Sequence, residues 1–186
     1  MVRPQCAVFI ATSLDGFIAL PDGSIKWLDA VQLDGEDYGF AAFFASIDTL
    51  VMGRLTWETV LRFDEWPYAG KRVVVLTHRP AEGRHGESFE SGEPAAILAR
   101  LHAGGARRVY VDGGAVISQF FREELVDELT VSVVPIVLGD GIRLFQGGLP
   151  RRALRLTGSH AYPSGLVQLR YTPFKHGSTA AKRGHR

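Results

Sequence analysis

The chain has 186 residues, 46% apolar and 22% charged, the balance of an ordinary globular domain able to bury one substantial core. Its 21 basic and 20 acidic side chains nearly cancel, and no apolar run is long enough to span a bilayer, which excludes nucleic acid and membrane as expected partners. The start leads straight into a short strand-like run and the single cysteine, Cys6, has no internal partner, so a cytoplasmic, reducing setting is expected.

Strand-like runs alternate with helix-like segments through the first two thirds, the α/β pattern. Cys6–Thr12 reads as a buried strand, followed by the turn-rich stretch 13–24. Phe40, Phe43, Phe44 and Ile47 recur at helical spacing and predict a helix over 36–47. Asp48–Met52 is a second strand; Thr56 is positioned to cap a short helix reaching Leu61. Arg72–Leu76 is a third strand, and 78–92 a surface loop with a short strand at Ser88-Phe89. Pro94 suits a first helical turn and Gly104 a helix end. Arg107–Val111 is a fourth strand, ending at Asp112-Gly113-Gly114 and opening into a helix over 115–123. A long apolar strand, 128–138, is interrupted at Pro135 and followed by a turn at Gly139-Asp140-Gly141. Two strands, 153–159 and 166–172, are joined through Tyr162-Pro163-Ser164-Gly165 as an antiparallel pair. Residues 1–174 form one domain, and the small, polar, basic stretch 175–186 reads as a disordered tail.

Three strand ends share one design, in which a buried strand stops and a glycine or polar residue precedes a helix or loop. They are Met52-Gly53-Arg54-Leu55-Thr56-Trp57, Leu76-Thr77-His78-Arg79 and Asp112-Gly113-Gly114-Ala115. Ligands of open α/β sheets bind at such ends, where backbone amides converge, and two arginines suit a dinucleotide carrying several phosphates. The six histidines show no ligand spacing, so no metal site is expected. Neither a nucleophile elbow nor a Walker-type loop is present.

Five segments together resemble the dihydrofolate reductase superfamily. They are Ser13-Leu14-Asp15-Gly16-Phe17-Ile18-Ala19, the stretch 47–58 (IDTLVMGRLTWE), 75–79 (VLTHR), 109–114 (VYVDGG) and 127–141. Within it the chain looks closest to the branch typified by the C-terminal reductase domain of bifunctional riboflavin-biosynthesis enzymes. The resemblance implies a three-layer α/β fold: a mostly parallel central sheet with an antiparallel C-terminal hairpin and helices on both faces. It also implies NADPH as cofactor. Gly53, Arg54 and Thr56 would hold phosphates; Leu76, Thr77, His78 and Arg79 would face the adenosine end, Arg79 and Arg54 reading the 2′-phosphate. Gly113 and Gly114 would be joined by a cis peptide beside the pyrophosphate, followed by Ala115 and Val116. Ala11, Leu14, Ile18 and Ala19 would line the nicotinamide pocket.

Asp37 aligns with the superfamily's acidic proton donor, on the flank of the phenylalanine stripe, where partial burial would raise its pKa. The other reading places it with Asp34 and Glu36 as an acid favouring a helix start. Trp27, Asp37 and Phe40 are the expected substrate contacts, and Trp57 is expected in the core. The leading expectation is a reductase delivering hydride to a small pterin- or pyrimidine-like heterocycle. The alternatives are a riboflavin-pathway ribosylaminopyrimidine reductase, which needs a basic phosphate clamp for which the sequence offers no clear candidate, and a non-catalytic NADPH-binding scaffold. A homodimer is expected, with the apolar strand 130–138 as its interface.

Overall fold

Side chains of a strand alternate between faces, and a parallel sheet must cover both. The aliphatic runs do this in β3 (Thr49–Gly53), where Val51 packs to one side and Leu50 and Met52 to the other. The computed structural model describes residues 2–79 and 81–174; the expected tail, 175–186, lies outside the described residues.

Eight strands form the main sheet. β1 (Gln5–Ser13), β3, β4 (Arg72–Leu76), β5 (Ser88–Glu90), β6 (Arg108–Asp112) and β7 (Glu128–Val134) run parallel in the order β5-β4-β3-β6-β1-β7. β9 (Leu154–Ala161) and β10 (Val167–Pro173) add an antiparallel pair beyond β7, as expected from their turn chemistry. On one face α3 (Pro94–Ala103) and α4 (Gly114–Arg122) bury Ile97, Leu98, Ile117 and Phe120 against Val8, Val51, Val74 and Val109. On the other, α1 (Phe40–Ser46) and α2 (Arg54–Val60) cover Leu50, Met52, Val73, Val75 and Tyr110. Each buried Leu, Ile or Phe is worth roughly 1.5–3 kcal/mol, so these two layers carry most of the driving force.

Four sequence expectations need correction. The first helix starts at Phe40 and not at residue 36, because Tyr38 (φ 56°) and Gly39 (φ 80°) take left-handed backbone that no α-helix accepts. Thr56 is no cap: α2 already begins at Arg54, with Gly53 before it and no side-chain cap. The long strand stops at Val134, since Pro135 has no N–H to give a ladder. It is also no edge: β7 is paired on both sides, and the outermost strand is β9, so 130–138 does not offer an open edge to a second chain.

Composition hid three elements. β2 (Phe17–Ala19) pairs with the two-residue β8 (Ile142–Arg143), and Lys26–Val31 forms a 3-10 turn.

Candidate active site

The carboxyl ends of β1, β3, β4 and β6 open into one cleft of about 830 Å³, within the range of small-molecule sites. Its centre is a backbone junction. Gly53 leads into α2 and Gly113 into α4, neither helix start receives a side-chain cap, and Thr56 stands between them. Gly113 sits at φ 86°, and a Cβ there would run into Thr56 Oγ1. A Cβ at Gly114 would strike the Arg143 carbonyl. The two glycines are therefore required by a close approach of backbone. The peptide joining them is trans, as are all the peptide bonds of the described residues, so the expected cis bond is absent.

The Ser-Leu-Asp-Gly segment explains how β2 reaches the cleft. Ser13 Oγ accepts from the Phe17 N–H at 2.9 Å, and Asp15 accepts from Leu138 N–H at 3.1 Å and Gly139 N–H at 2.7 Å. The Ser13 hydroxyl first, then these two amides, hold the Asp15 carboxyl down to about 2. That clip tethers the loop to residues 138–139 and sets Ile18 and Ala19 in the cleft wall beside Ala11. Gly141 completes it, since a Cβ there would meet the Ala19 carbonyl.

Asp112, the last residue of β6, lines the cleft in register with Met52. Burial pushes its carboxyl up to about 6, against the Gly113 N–H that donates to it at 2.8 Å and the phenol groups of Tyr110 and Tyr68 beside it, the Tyr110 hydroxyl itself donating to the Phe9 carbonyl at 2.9 Å. It can therefore carry a proton near neutrality, which an ordinary surface aspartate cannot. Arg54 donates from Nε to Glu58 at 2.7 Å and from Nη1 to the Arg79 carbonyl at 2.9 Å, tying α2 to the loop after β4.

The structure gathers the expected cofactor residues in this cleft, Arg79 and Leu14 excepted: Ala11, Ile18, Ala19, Gly53, Arg54, Thr56, Leu76, Thr77, His78, Gly113, Gly114, Ala115 and Val116 all line it. Arg79 meets Arg54 and the Thr77 hydroxyl through its backbone, and its side chain is not part of the lining. Leu14 is 67% exposed and also outside it. The expected catalytic and substrate residues are not brought to the cleft. Asp37 is exposed and accepts from the Gly39 and Ala41 N–H groups at 2.8 Å each. Those amides, Ala41 first, hold its carboxyl below the usual range, the reverse of the raised pKa expected, and fit the reading of a helix-start acid. Trp27 is buried against Val31, Val134 and Leu166, and Phe40 packs edge-on to Phe9 at 5.7 Å. Trp57 is core as expected, its indole N–H donating to Glu87 at 2.8 Å.

Sequence reasoning missed Asp112 as an ionisable group, along with the lining residues Phe9, Tyr68, Glu58 and Arg62. For Asp112 a signal existed: it is the charged end of a buried parallel strand directly before the glycine pair. The others come from elements whose packing no local pattern specifies.

An α/β sheet with a dinucleotide-sized cleft at its strand ends defines the class, and comparison with known proteins supplies the family. Residues 4–168 match the model of the RibD C-terminal domain, and the chain belongs to that family. YwjB of Bacillus subtilis (strain 168), an uncharacterized protein, is 37% identical over 171 residues, spanning 90% of this chain and 97% of that one. The crystal structure of a candidate riboflavin biosynthesis protein from Shewanella sp. PV-4 superposes with TM-score 0.86 at 37% identity, covering 92% of this chain and 99% of that one. The fold alone is shared with two more distant structures. One is a deaminase/5-amino-6-(5-phosphoribosylamino)uracil reductase of Thermotoga maritima (TM-score 0.71, 17% identity, 92% and 57% covered). The other is a dihydrofolate reductase of Enterococcus faecalis complexed with NADP(H) (TM-score 0.63, 17% identity, 92% and 97% covered). The architecture is dihydrofolate-reductase-like, in the RibD C-terminal branch.

Proposed function

We propose that the protein is an NADPH-dependent reductase acting on a small planar heterocycle of the pterin or pyrimidine type. The observation that carries this reading is the convergence of two uncapped helix starts and Thr56 on a cleft that ends at a half-buried aspartate whose pKa is raised. The donor set fits the cofactor: first-turn residues of α2 and α4 and the Thr56 hydroxyl suit a pyrophosphate. Arg54 adds a guanidinium, and Ala11, Ile18 and Ala19 form an apolar wall against which a flat ring can lie.

The chemistry that a bound dihydronicotinamide supplies is a hydride, with its electron pair, for the carbon of a C=N or C=O bond, after which the nitrogen or oxygen takes a proton and the cofactor leaves oxidised. Asp112 holds that proton on a carboxyl oxygen and delivers it to the heteroatom. Tyr68 and Tyr110 keep the carboxyl oriented. The remaining contribution of the chain is positioning. A second reading, reduction of a phosphoribosylamino-pyrimidine, is favoured by the family match alone.

Titration with NADPH and NADH, followed by tryptophan fluorescence, tests the proposal. Micromolar or tighter NADPH binding supports it, and absence of binding by either cofactor sinks it.

A further inference from the structure

The carboxyl ends of β4 and β1 are three strand spacings apart, roughly 14 Å. A dinucleotide whose flat ring lies on the apolar wall of Ala11, Ile18 and Ala19 therefore sets its adenosine half at the β4 end, where Arg54, Thr77 and His78 line the cleft. Two hydrogen bonds from one face of α2 hold that end in place. Arg54 and Trp57, three residues apart, both donate to the loop that joins β4 to β5. Arg54 reaches the start of the loop at the Arg79 carbonyl, and the Trp57 indole N–H reaches its end at Glu87 Oε1, 2.8 Å away.

Glu87 is only 8% exposed, and its other carboxylate oxygen accepts from the His85 N–H at 2.7 Å. The chain folds so closely around this carboxylate that a Cβ on Gly83 would come within 2.9 Å of Oε2 and 2.8 Å of the Glu87 carbonyl. Burial opposes the charge, yet the Trp57 and His85 donors hold the carboxyl below its usual range. A buried carboxylate is costly unless bonded, and a charged acceptor holds its donor more firmly than a neutral one. Packing alone does not account for it. Trp57 already lies edge-on to Phe89 at 5.1 Å, in a core that an apolar residue at 87 would extend.

Neither Glu87 nor Trp57 is part of the cleft lining. Thr56, beside Trp57, is, and it lies so close to the glycine pair that a Cβ on Gly113 would overlap its hydroxyl. We propose that Glu87 is a positioning residue for the adenosine half of the dinucleotide, acting through Trp57 to fix the first turn of α2 against the loop that carries Thr77 and His78. The inference rests on the NADPH reading above and adds to it a residue that touches no ligand.

The test separates the two halves of the cofactor. Binding of adenosine 2′,5′-bisphosphate and of reduced nicotinamide mononucleotide to the intact protein is measured by calorimetry, with NADPH as reference. In Glu87→Ala the bisphosphate should bind about ten-fold more weakly, while the mononucleotide changes by less than about three-fold. Trp57→Phe, which keeps an aromatic ring and loses the indole N–H, should reproduce that pattern, and the double variant should be no weaker than Glu87→Ala. Glu87→Gln keeps one acceptor oxygen and should recover part of the loss. Should Glu87→Ala not fold, Trp57→Phe carries the comparison by itself. Equal losses for the two halves, or additive losses in the double variant, overturn the inference. So does wild-type affinity for the bisphosphate in Trp57→Phe. Failure of the wild type to bind NADPH overturns the reductase reading itself, and the inference with it.

Discussion

The glycine junction of the cleft and its apolar lining are built from different materials. The junction is backbone: Gly53, Gly113 and Gly114 at the ends of neighbouring parallel strands, held by ladders that the core enforces. The apolar lining is side chain: Phe9 from β1, Leu55 and Phe63 from α2 and its turn, and Ile25 and Leu28 from the 3-10 segment and the residue before it. Backbone sites tolerate little change in shape but do not depend on which side chains surround them. Side-chain sites can be rewritten residue by residue. A family can therefore keep one cofactor end while its members diverge in what they reduce.

The sharpest way to break this comparison is at the junction. Gly114→Ala drives a methyl into the Arg143 carbonyl and Gly113→Ala adds strain at positive φ, so each should cost about 2–4 kcal/mol and abolish measurable NADPH binding. A melting temperature and cofactor affinity like the wild type's would show that the backbone is not the constraint.

Asp112→Asn comes next. Turnover should fall by about 10²- to 10⁴-fold, with NADPH affinity nearly unchanged. Its stability signature has a definite sign. The folded carboxyl, at about 6, lies above its ordinary 3.8, so the folded state binds more protons between those values, and wild-type stability declines as pH climbs through that window. The loss is roughly 3 kcal/mol at most, and chemical denaturation at pH 4, 5, 6 and 7 should show it shrinking in the asparagine variant. A wild-type curve that rises across this window would sink the assignment.

Smaller effects separate side chain from backbone at the adenosine end. Arg54→Ala should weaken NADPH about ten-fold, while Arg79→Ala, which keeps the carbonyl that Arg54 uses, should change it less than about three-fold. The reverse order would restore Arg79 as the phosphate reader.

The smallest effect is expected for Asp37→Asn. It loses part of a helix-start interaction and should leave kcat within about two-fold. A hundred-fold loss of turnover would return the proton to Asp37.

Local chemistry made much of this legible. Alternating burial, the β-branched runs, Pro94 opening α3 and Gly104 closing it are decided within a few residues, so strands and helices stand close to where the sequence places them. The strand-glycine-helix junctions are equally local, and with them came most of the residues expected to meet a cofactor, which line the cleft. What failed was non-local or hung on one torsion angle. Left-handed backbone at Tyr38 and Gly39 moved the first helix start and left Asp37 capping it in solvent. Pairing of β7 on both sides, which no property of residues 128–134 announces, removed the apolar edge expected there.

The sequence by itself determined the α/β order, the glycines and the family resemblance, because each is a property of short segments and their succession. Only the tertiary structure decided which ionisable group is desolvated. That depends on Tyr68, carried by the segment between α2 and β4, meeting Tyr110 and Asp112 of β6, and on Asp37 lying where water and two amides keep it charged.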